Sequence, residues 1–108
     1  MAIDWSTVGR DVENAVVGVL GANFQVVRRA AQAQIAALVS TGQSIEAEKD
    51  EMTALEYQSL EDANRGALAG VLHTIEGITI VVAEQAAAAA WQVVASALKA
   101  SLGLPFIP

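Results

Sequence analysis

The chain has 108 residues, 54% hydrophobic but only 5% aromatic, with six Lys/Arg against twelve Asp/Glu and a net charge of −6. That length holds one domain at most. A single basic cluster, Arg28-Arg29, excludes the electrostatic footprint of a nucleic-acid binder, and the lack of cysteine excludes disulfides and thiolate metal sites.

Met1-Ala2-Ile3-Asp4-Trp5 has neither the basic start nor the short apolar run of a signal peptide. From Asp4 or Ser6 onward no proline interrupts the chain until Pro105, so helix is permitted for a hundred residues. Arg10, Asn14, Gln25, Arg28 and Gln32 fall on one narrow helical sector, opposite Val8, Val12, Val19, Val26, Ala30, Ala33 and Ala37. This predicts a first amphipathic arm over residues 4–49, with Gly42 tolerated inside it.

Between Glu46 and Asp62 stand seven acids (Glu46, Glu48, Asp50, Glu51, Glu56, Glu61, Asp62) and one base, Lys49, so this segment carries the whole net charge. Its polar run Lys49–Met52 predicts the loop. Thr53 and Glu56 fit a capping box, which starts a second arm at Thr53. Gly103, Pro105 and Pro108 end that arm near Leu102. The expected fold is all-α: a long antiparallel helical hairpin (4–49 and 53–102), with an acidic polar tip at 46–62 and an apolar C-terminal tail at 103–108.

A turn near 51–52 would set Asp4 opposite Lys99 and Arg28 opposite Glu76, two candidate inter-arm pairs. Each arm would be roughly 70 Å long at 1.5 Å per residue. A lone rod of that length exposes a broad apolar face, which predicts self-association. The partner is then a second copy of the chain, together with other structural proteins.

Gly66 and Gly70 form a GxxxG pattern, and Gly77 continues it seven residues on. Small residues at this spacing let helices approach closely. Ala33/Ala37 and Ala86/Ala90 repeat the logic, making these seven residues the candidate helix-packing or oligomer interface. Trp5, Trp91 and Phe106 are expected at the open end of the hairpin, opposite the acidic tip, as terminal anchors. The tail is expected to act as a peg into a neighbouring chain.

His73, the only histidine, could pair with Glu76 as half a metal site. Such sites need several converging carboxylates, so no metal or cofactor is assigned. The acidic tip lacks the Asp-x-Asp-x-Asp-Gly calcium loop. No nucleophile–His–acid order, phosphate loop or dinucleotide fingerprint occurs, and the expectation is a non-enzyme. The longest uncharged runs, Asn14–Val27, Ala30–Ile45 and Gln85–Leu98, fall short of the about 18 residues a membrane span wants.

The proline-free second arm, through Ala83-Glu84-Gln85-Ala86-Ala87-Ala88-Ala89-Ala90-Trp91, resembles the small Ala-rich helical virion proteins of tailed bacteriophages, the ejection type among them. The likeness is one of style over most of the chain and carries no residue roles. It implies a virion component present in many copies, with contact to the host envelope on assembly. Two alternatives stand beside it: a holin-like or pore-forming membrane protein, and a soluble helical module that binds another protein. Breaks at Gly42 and Gly66–Gly70 would mark the compact module.

Overall fold

In a computed structural model, which describes residues 3–104 and 107, the described residues form four α-helices and no strand. They are α1 (Trp5–Leu20), α2 (Phe24–Ala47), α3 (Ala54–His73) and α4 (Ile80–Leu102), with a single 3-10 turn, Gly21–Asn23, between the first two. Three helix starts are fixed by side chains. Asp4 accepts from the amides of Ser6 and Thr7 at 3.1 and 3.3 Å, and Thr79 accepts from that of Val82 at 3.2 Å. Thr53 and Glu56 close the capping box, each side chain accepting from the other's amide at 3.1 and 3.2 Å. At the far end Gly103 adopts left-handed φ 61° and ψ 31° and stops α4 after Leu102.

The expected long hairpin is corrected by two further reversals. α1 folds back on α2 at Gly21, whose φ of 59° and ψ of −134° no helix contains. α3 ends at His73, and a turn through Gly77 (φ 92°) returns the chain as α4. Gly9 faces Val39, Thr41 meets Asn64, and Trp91 meets Tyr57. Consecutive helices are therefore antiparallel, and α4 closes against α1. The result is an up-down-up-down four-helix bundle measuring 42 × 25 × 20 Å. Halving each arm lets the chain bury its own seam: Val12, Val16, Leu38, Ile45, Leu68, Leu72, Val94 and Leu98 are sealed in one core.

The buried face drifts off the expected one from Val16 and Leu20 onward. Val8 and Val12 face the core as expected, but α2 buries Phe24, Val27, Ala31, Ile35 and Leu38. Val26 is left 72% exposed, and Ala30, Ala33 and Ala37 lie on the outside.

Because α1 doubles back, Trp5 sits beside the end of α2 rather than far from it. Trp91 pairs with Tyr57 near the start of α3. Both tryptophans thus lie toward the acidic 48–53 loop, not opposite it. Phe106 lies outside the described residues. Ile107, in the tail expected to reach a neighbour, is buried in this chain's own core and donates its amide to the Leu104 carbonyl at 3.2 Å.

Candidate interaction groove

α3 and α4 diverge at the surface over a groove of about 370 Å³. Its α3 wall is Gly66, Ala69 and Gly70, and its α4 wall is Ile80 and Ala87. The groove exists because Gly66, Ala69, Gly70 and Ala87 carry little or no side chain. A β-carbon at Gly66 or Gly70 would meet nothing within 4 Å. Arg65, His73 and Glu84 form a polar rim. Arg65 is held at one edge by Glu61, one turn earlier on α3, at 2.9 Å. Ile80, 53% exposed, contributes uncovered apolar surface at the mouth.

The seven small residues expected to act together are dispersed by the fold. Gly66 and Gly70 share the groove. Gly77 does not continue their face, because α3 has ended and Gly77 serves the following turn. Ala33 and Ala37 point outward from α2. Ala86 and Ala90 are fully buried and pack inside this bundle.

The proposed inter-arm pairs do not form. Among the described residues the one ion pair within 4.0 Å is Arg65–Glu61. Asp4 is engaged at its own helix start, where the hydroxyls of Ser6 and Thr7 also donate to it at 2.7 and 2.9 Å. Bonding to Ser6 and Thr7 holds its carboxyl down at about 2. Arg28 lines a shallow depression with Ile75 and leaves neighbouring Glu76 unpaired with it. His73 closes α3 and Glu76 follows in the turn, so the helical i, i+3 relation between them is lost. No group of three or more potential metal ligands occurs among the described residues.

Two structural clusters escape a reading of the sequence. At Gly42 a β-carbon would stand 2.5 Å from two indole carbons of Trp5 and 3.0 Å from Val94 Cγ1, so this glycine is the true close approach in the bundle. The Trp5 indole N–H donates to Glu46 Oε1 at 2.9 Å, and the Ile3 amide donates to Glu46 Oε2 at 3.2 Å. The bond from Trp5, with that from Ile3, lowers the Glu46 carboxyl. The second cluster is Tyr57 and Trp91, with ring centroids 6.0 Å apart and the indole N–H donating to the phenol oxygen at 3.1 Å. Burial pushes the Tyr57 phenol up. A small residue at position 42 and an acid one turn later are visible signals, but only the fold connects them to Trp5.

Comparison with protein-family models, curated proteins and solved structures finds no match to this chain.

Proposed function

We propose that this chain is a non-enzymatic structural subunit that assembles with copies of itself, seating a neighbour's helix in the groove between α3 and α4. The observation that carries this reading is the pair Gly66 and Gly70. A glycine inside a helix costs about 1 kcal/mol relative to alanine, and at neither position would a β-carbon meet anything within the chain that requires glycine there. A helix docked over them gives both a role, since small residues admit a second backbone at close range. Ile80 at the groove mouth then adds apolar area to the contact. The setting we propose is a bacteriophage particle, in keeping with the Ala-rich helical style of the chain.

A soluble protein-binding module is the second reading. It is favoured by the closed core and by the absence of any unpartnered buried side-chain N or O among the described residues. Membrane insertion is the weaker reading. α4 is long and apolar enough to cross a membrane by length and composition, but Ala83, Ala86, Ala90, Val94 and Leu98 face the core of the bundle.

Light scattering on Gly70→Leu and Gly70→Ala separates these readings. Leucine should fill the groove and reduce the oligomer to monomer, and alanine, placing one methyl where the docked backbone approaches, should weaken assembly by less. Equal masses for wild type and Gly70→Leu would remove the groove as the contact.

A further inference from the structure

The joint between α1 and α2 is held by the buried residues on either side of it, Leu20 and Phe24, and by no side-chain cap. Unlike α1, α3 and α4, α2 begins without a side-chain cap, since Asn23 makes no capping bond. Nothing in Gly21–Asn23 is buried. The other reversal is pinned by the Thr79 cap and by buried Ile78.

The backbone at this joint is already almost a helix. Leu20, Asn23 and Phe24 have right-handed helical angles, and the Gly21 amide donates to Val17 O in the ordinary i to i−4 pattern. The departure is at Gly21. Rotating Gly21 to helical angles, with the 3-10 turn relaxing to α, would merge α1 and α2 into a single helix from Trp5 to Ala47, about 65 Å long at 1.5 Å per residue. Straightening would also give the amides at 22–24 regular helical acceptors.

An opened α1 loses its core partners, and the surface that replaces them with identical contacts is that of a second opened copy. We infer that this protein exchanges α1 between two copies by straightening at Gly21, giving a dimer in which each α1 packs on the partner's α2 and α4. The antiparallel pairing of α1 with α2 makes the exchange two-fold symmetric, because two merged helices laid antiparallel set each α1 on the other's α2. Short uncapped hinges favour such exchange. The inference stands apart from the groove, which remains on the outside of either form.

Gly21→Ala tests it. Alanine is strained at these closed-state angles and favoured in the merged helix. Together the two effects come to at least about thirtyfold per hinge, hence about a thousandfold on dimerisation with two hinges. The chain has no native cysteine, so Gly9→Cys and Val39→Cys report the pairing cleanly, a β-carbon at position 9 lying 3.7 Å from Val39 Cγ2. Chains carrying one cysteine each are mixed, unfolded, refolded together at high concentration and oxidised, with and without Gly21→Ala.

A disulfide joining the two different chains, enriched by Gly21→Ala, is the expected result. A folded Gly21→Ala protein that stays monomeric would overturn the exchange. So would a dimer lacking the 9–39 link between chains, which would leave the groove contact standing. Should Gly21→Ala fail to fold, the chains without it decide, and no cross-chain link in them overturns the exchange.

Discussion

Gly42→Ala inverts an ordinary expectation. In a solvent-facing helix, alanine for glycine stabilises by about 1 kcal/mol. Here the new methyl would stand 2.5 Å from the Trp5 ring and 3.0 Å from Val94 Cγ1, well inside van der Waals contact. Val94 is fully buried and has nowhere to go. Trp5 is half-buried and can swing outward, but only by giving up its bond to Glu46 and its ring contact on α2. Overpacking of this kind costs about 1–3 kcal/mol, and the bond lost to the solvent-facing Glu46 carboxylate adds to it. Set against the gain in helix propensity, the net loss should be about 1–2 kcal/mol, or roughly 5–15 °C in Tm for a domain of this size. Thermal unfolding by circular dichroism reads the shift. Trp5→Ala should abolish most of the penalty, so the pair of substitutions is strongly non-additive. A Gly42→Ala protein more stable than wild type would refute the seating of Trp5 over Gly42.

Two further outcomes follow from the same contacts. Tyr57→Phe removes the acceptor of the buried Trp91 indole N–H and should destabilise by about 1–3 kcal/mol in chemical denaturation with unchanged slope; an unchanged midpoint would mean that the bond does not hold the cluster. Asp4 has a folded pKa of about 2 against an ordinary 3.8, so its contribution is fully present above pH 4 and is lost as pH falls toward 2. Tm measured across that window should fall less steeply for Asp4→Asn, and identical slopes would contradict the assignment.

The parts of the fold that were legible in the sequence are those set by neighbours in the chain. Asp4 before a hydroxyl pair, Thr53 with Glu56, and Gly103 before Pro105 act over three or four residues, so their types suffice to place helix ends. The reversal at Gly21 has no such signature. Gly-Ala-Asn stands in an Ala/Val run without proline or cap, and the same residues can continue a helix or break it. The core decides, because α2 and α4 are covered only when α1 lies on them, and within one chain that requires the fold-back. The cap at Thr79 acts over three residues, but it stands inside an apolar helical pattern that runs on through Gly77. For the groove, the GxxxG spacing correctly placed Gly66 and Gly70 on one face. That this face would open on a groove beside α4 rather than pack tightly depended on the bundle. The link of Trp5 to Gly42 and Glu46 spans about forty residues and exists only in three dimensions.

Self-assembly is tested most directly by sedimentation equilibrium of the wild-type chain in detergent-free buffer over a wide concentration range. The mass should rise from the 11.2 kDa of one chain to that of a discrete oligomer. A mass that stays at one chain throughout would contradict assembly.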